Sequence, residues 1–114
     1  MKYAVLIYGR DARDAFDTLP EEQQRTIMGE YMALGELPVT RGGAQLKPGT
    51  TATTVRVEDG QTILTDGPYA ETKDVLGGFY LIDVDNLDAA IEFASKVPAA
   101  RMGGLVEVRP LVER

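Results

Sequence analysis

Two runs in this chain carry apolar side chains on both sides of a strand. Tyr3, Val5 and Ile7 form one alternating set of the first run, and Ala4, Leu6 and Tyr8 form the other. In the second run, "GFYLIDV", Phe79 and Leu81 oppose Tyr80 and Ile82. Successive side chains of a strand point to opposite faces of its sheet, so a strand apolar in both sets is covered on both faces. A single layer of helices over one face leaves half of that demand unmet, and any fold proposed for the chain must meet it.

The rest of the chain supplies the helices. Thr18 with Glu21 spells a capping box, Pro20 suits a first turn, and Ile27, Tyr31 and Leu34 recur at helical spacing. These predict a helix over about Pro20 to Leu34, stopped around Gly35 and Pro38. Val39 to Leu46 reads as a strand interrupted by Gly42 and Gly43, a pair that marks a bulge or a close backbone approach. "TATTVRV" and "QTILTD" are β-branched runs separated by Glu58-Asp59-Gly60, and the Asp-Gly pair predicts a hairpin. Asp85 or Asn86 caps a second helix in which Leu87, Ala90, Ile91 and Ala94 form the apolar stripe, with Pro98 ending it. Val106 and Val108 belong to a last strand before Pro110.

The order is β-α-β-(hairpin)-β-α-β. It predicts an α+β, ferredoxin-like fold over a single domain of residues 1–114, with two helices on one face of an antiparallel sheet and an inserted β-hairpin. Two helices cover one face only. The second face is expected to meet its copy in a two-fold homodimer, leaving a pocket between sheet, hairpin and neighbour.

Composition narrows the chemistry. Twelve basic against 18 acidic side chains give a formal charge of −6, which opposes direct binding to nucleic acid. There is no cysteine and no histidine, so thiolate chemistry, disulfides and the commonest metal ligand and general base are absent. No metal and no cofactor is expected; "GG" pairs outside a G-x-G-x-x-G context do not make a nucleotide loop. The apolar start soon meets Arg10 and Asp11, too short a run for a membrane helix, and no small-residue cleavage site follows. The expectation is a cytoplasmic protein without membrane contact.

The stretch with the most concentrated chemistry is "TDGPYAETKDVLGGFY", Thr65 to Tyr80. Asp66-Gly67-Pro68-Tyr69-Ala70-Glu71-Thr72-Lys73-Asp74, followed by Gly77-Gly78-Phe79-Tyr80, closely resembles the signature of DGPF-domain proteins within the YCII-related family. Tyr69 stands where that signature has Phe, and Asp74 where it has Glu. The flanks "TATTVRVEDG", "YLIDVDNLDAAIEFA" and "VEVRPL" are similar as well. The resemblance implies a dimeric α/β-barrel arrangement of ferredoxin-like units. Some relatives are linked to lyase or dehalogenating chemistry through a His–Asp pair, which a chain without histidine does not inherit. Genes of such proteins often lie near those of extracytoplasmic-function sigma factors, so the resemblance also implies a sigma factor as a candidate regulatory partner.

Each candidate residue reads two ways. Asp66 either holds a turn by accepting from backbone amides or acts as a general base at a pocket mouth. Glu71 and Lys73 are either an ion pair of little net energy or a pair in which Lys73 neutralises an anionic ligand and Glu71 orients it. Tyr69 is expected as a pocket wall, and Arg41 beside Gly42-Gly43 as an anion contact or a solvated side chain. The leading expectation is binding of a small anionic or aromatic molecule beside Asp66–Lys73. The alternatives are a lyase- or hydrolase-like enzyme with Asp66 as base, Lys73 as electrostatic stabiliser and Tyr69 as donor, and a regulatory module that engages a sigma factor.

Overall fold

The computed structural model describes residues 1–9, 16–68 and 74–114. Its strands are β1 (Lys2–Gly9), β2 (Thr40–Gln45), β3 (Thr53–Glu58), β4 (Gln61–Asp66), β5 (Val75–Asp83) and β6 (Leu105–Pro110). Its helices are α1 (Glu21–Glu36) and α2 (Leu87–Ser95), with 3-10 turns at Gly49–Thr51 and Pro98–Arg101. Four strands form one sheet in the order β2-β5-β1-β6, and every pairing in it is antiparallel. The order of elements and of strands is compatible with the ferredoxin-like pattern. β3 and β4 make a separate two-stranded sheet.

Registry sorts the side chains of the large sheet. Tyr3, Val5 and Ile7 of β1 pair with Ile82, Tyr80 and Gly78 of β5, so these share a face. That face is the core: Tyr3 is 1% exposed, and Val5 and Ile82 join it with Leu34 of α1 and Ala90, Phe93 and Ala94 of α2. Tyr80 and Phe93 meet edge to face with ring centroids 5.4 Å apart, a favoured aromatic geometry. The opposite face carries Ala4, Leu6 and Tyr8 with Leu81 and Phe79, all half-buried, and neither α1 nor α2 covers it.

The helices depart from their sequence patterns in instructive ways. α1 starts one residue after Pro20, whose ψ of 145° is not helical, and no side chain caps it. The expected Thr18–Glu21 capping box is therefore not formed. Gln24 instead donates its amide to the Leu19 carbonyl at 2.9 Å. The helix passes through Gly35 and stops when Leu37 turns extended, as a residue before proline does. In α2, Asn86 is the cap, accepting the Ala89 N–H at 2.9 Å. The expected stripe is corrected: Leu87 and Ile91 are exposed, and Ala90, Phe93 and Ala94 face the core. Small Ala90 and Ala94 let the helix lie close on the sheet, which rotates the two larger side chains to the flank.

Both glycine-marked turns of the backbone are present. Asp59 (φ 51°) and Gly60 (φ 76°) turn the hairpin in left-handed conformation, the geometry two-residue hairpin loops favour. In β2 the pairing with β5 shifts between Thr40 and Gly42, leaving Arg41 as the extra residue of a bulge. The hairpin itself stands away from the body. The radius of gyration, 15.9 Å, exceeds the ~13 Å of a compact chain near this length. Val55, Val57 and Leu64 lie on one hairpin face and are largely exposed. Among the described residues no helix is long and apolar enough to cross a membrane.

Candidate functional site

A cavity of about 350 Å³ opens between α1 and the sheet, on the core side. Its size is set by what is missing. Gly43 of β2 and Gly77 and Gly78 of β5 border it, and the ladder places Gly43 opposite Tyr80 and Gln45 opposite Gly78. Where Gly78 lies beside Ile7, a side chain would project toward α1. With none there, the sheet offers bare peptide planes as a floor. Met28 and Tyr31 of α1 roof this floor, and Phe16, Ile7, Tyr80 and Ala99 close the sides.

Backbone packing makes two of these glycines, Gly43 and Gly78, necessary as well as convenient. A Cβ at Gly43 would sit 2.5 Å from the Phe79 carbonyl oxygen and 3.1 Å from the Tyr80 ring. A Cβ at Gly78 would meet the Ala44 carbonyl oxygen at 3.0 Å. β2 and β5 thus pair with no room for side chains at Gly43 and Gly78, the close approach that the Gly42-Gly43 interruption suggested.

The walls are apolar and neutral. Among the described residues that border the cavity, Tyr31 and Tyr80 are the titratable ones. Tyr80 donates its hydroxyl to the Tyr31 carbonyl at 2.7 Å. Burial pushes the Tyr80 phenol up to about 12, with a smaller contribution from Tyr31. Burial also raises Tyr31, against a backbone hydrogen bond at Ala99 and the positive charge of Arg101. Arg101 itself is held by Glu30 at 2.7 Å, an exposed pair that ties the Pro98–Arg101 turn to α1. Both phenols stay protonated at neutral pH, so neither serves as a general base there.

The Thr65–Tyr80 motif divides across this geometry. Its last four residues, Gly77, Gly78, Phe79 and Tyr80, border the cavity. Asp66 ends β4 on the hairpin, exposed, opposite Thr53 and on the same hairpin face as Val55 and Leu64. The turn after it is held by backbone: Gly67 N–H donates to the Ala52 carbonyl at 2.7 Å, and Thr54 Oγ1 donates to the Gly67 carbonyl at 2.7 Å. Asp66 and Arg41 are not among the residues that border the cavity. Tyr69, Glu71 and Lys73 lie outside the described residues. The described flanks of that segment converge at Gly49, where a Cβ would be 3.1 Å from Val75 and 3.6 Å from Pro68. Val75 opens β5 opposite Gly9, another residue bordering the cavity. The motif's described flanks therefore lie at the cavity's end of the sheet.

Sequence reasoning placed Tyr31 and Tyr80 in the core and gave no role to Phe16, Met28 or Gln45. The usable signal was the second glycine pair. Aligned antiparallel, Gly43 and Gly78 fall two rungs apart on the same face, which leaves a floor without side chains. Among the described residues, no group of three carboxylates is placed to hold a metal ion.

Comparison with known proteins agrees on one grouping. The model of the YCII-related domain matches residues 1–114. An uncharacterised protein of Rhizobium meliloti (strain 1021) is 41% identical over 118 residues, covering 97% of this chain and 92% of that relative.

Proposed function

This chain belongs to the YCII-related family, and we propose that it binds a small, flat, mainly apolar molecule, an aromatic ring above all, in the cavity between α1 and the glycine floor. The observation that carries this reading is that the motif's own Gly77, Gly78 and Tyr80 form floor and wall. A volume of about 350 Å³ is at the small end of ligand cavities, which run from ~300 to 1,000 Å³. A planar ring can lie on exposed peptide planes with no Cβ to lift it. Raised, protonated tyrosines support binding over acid–base turnover within this cavity. An anionic substituent on the ring would have to draw on charges beyond the described lining, Lys73 being the candidate.

The reading includes a second copy of the chain. Half-buried Leu6, Tyr8, Phe79 and Leu81 on the open sheet face, together with Val57 at 68% and Leu64 at 65% exposure on the hairpin, support a partner surface of matching apolarity. A copy seated on that hairpin face would also contact Asp66.

Benzamide tests the cavity. A fragment of that size binds at about 1 mM in a fitting pocket. Met28→Trp adds a bulky ring from α1 at a partly exposed position, so the fold is expected to persist while the cavity fills. Saturable binding to the wild-type chain that disappears in a folded Met28→Trp variant supports the reading. Equal binding by both proteins, or none by the wild type, overturns it.

A further inference from the structure

We infer that Gln45 selects the molecule this cavity takes, by pairing its side-chain amide with a donor–acceptor edge on a planar ring; the inference rests on the cavity being the binding site. Gln45 is the last residue of β2 and lies across the ladder from Gly78. With no side chain at Gly78, nothing on the neighbouring strand blocks a ring from lying against Gln45. Gln45 also borders a shallower groove along the outer side of α1, which shares Phe16 and Met28 with the cavity. The amide therefore stands at the junction of the inner space and the surface, where a ring substituent would emerge.

Polar capacity singles out the same residue. Tyr31, Gln45 and Tyr80 are the polar side chains among the described residues bordering the cavity. The Tyr80 hydroxyl is committed to the Tyr31 carbonyl, and the Tyr31 ring is packed against the core from α1. Among the described residues, no group is bonded to the Gln45 side chain. A primary amide carries two donors and one acceptor oxygen. It pairs reciprocally with a carboxamide, a lactam or a ring N–H beside a carbonyl. A carboxylate offers acceptors only and meets half of it; a ketone does the same with less charge. A site that hydrogen-bonds both halves of such an edge rejects analogues that lack one half.

Benzamide, acetophenone and benzoate share one shape and differ in the group offered to Gln45. Their affinities are measured by NMR titration against the wild type, Gln45→Leu and Gln45→Met, with circular dichroism confirming each fold. The wild type is expected to prefer benzamide over the other two by about tenfold. Gln45→Leu is expected to weaken benzamide more than acetophenone and so to lose the preference, with Gln45→Met repeating the result if leucine disturbs the edge strand. Unchanged preference for benzamide in both variants, or a wild-type preference for benzoate or acetophenone, overturns the role of Gln45 and leaves the cavity standing. Saturable binding of none of the three overturns the cavity reading itself.

Discussion

Replacing Gly43 with alanine puts the pairing of β2 with β5 under direct strain. Gly43 has φ of 155°, a backbone conformation that L side chains rarely adopt. Its new Cβ would lie 2.5 Å from the Phe79 carbonyl oxygen, so the strands must part by roughly half an ångström before contact becomes tolerable. β5 is paired on both sides and β2 on one, so β2 is the strand that yields. Backbone strain of ~1–3 kcal/mol and overpacking of ~1–3 kcal/mol then act at one residue. The two overlap, and the expected loss is about 3 kcal/mol, with Tm lower by roughly 10 °C. Gly29→Ala is the matched control. A Cβ there meets nothing within 4 Å on a helix, and alanine should raise stability by about 1 kcal/mol. Urea denaturation measures both through the midpoint at constant slope. A Gly43→Ala protein within about 0.5 kcal/mol of wild type would refute the close approach of the two strands, and with it the physical reason for a glycine floor.

Three further outcomes follow from other parts of the molecule. Asn86→Ala removes the acceptor for the Ala89 N–H and should cost about 1 kcal/mol in the same assay; no loss would mean that the cap is idle. Because the Tyr80 phenol is raised from 10.0 to about 12 in the folded chain, the native state holds that proton more tightly than the unfolded chain. Its contribution is therefore intact below pH about 10 and is lost as pH climbs towards 12. Tyr80→Phe should flatten that alkaline limb, and an unchanged limb would contradict the assignment. Sedimentation velocity at micromolar concentration should find a dimer, and Leu81→Lys, which puts a charge on the open sheet face, should shift it to monomer. A wild-type monomer would leave that face without its proposed cover.

The topology was legible because its signals were strong and local. Runs apolar in both alternating sets, the Asp59-Gly60 turn and the Asn86 cap each specify backbone geometry over a few residues. The two helical misreadings have separate causes: at α1 the extended Pro20 is itself the residue before the helix, so Thr18 lies too far out to cap it, whereas which flank of α2 is buried depends on its distance from the sheet. At α2 that distance is set by Ala90 and Ala94, whose small size drew Phe93 inward and left Leu87 and Ile91 outside. The cavity was half legible. Its motif is conspicuous in sequence through its charged half, Asp66 to Lys73, because charged residues announce chemistry. The half that borders the cavity is glycine and aromatic, and it becomes a site only when β2 and β5 are laid in register. Gln45 and Met28 had no signal of their own, since each matters through a neighbour that lacks a side chain or faces it across a gap.

Amide chemical shifts during a benzamide titration locate the bound ring, because glycine N–H resonances report the floor residue by residue. If the cavity is the site, saturable shifts should concentrate at Gly9, Gly43, Gln45, Gly77 and Gly78 and spread to Tyr31 on α1. Shifts confined to the hairpin, Thr53 to Asp66, or to Leu6 and Leu81 on the open face of the sheet, would contradict it.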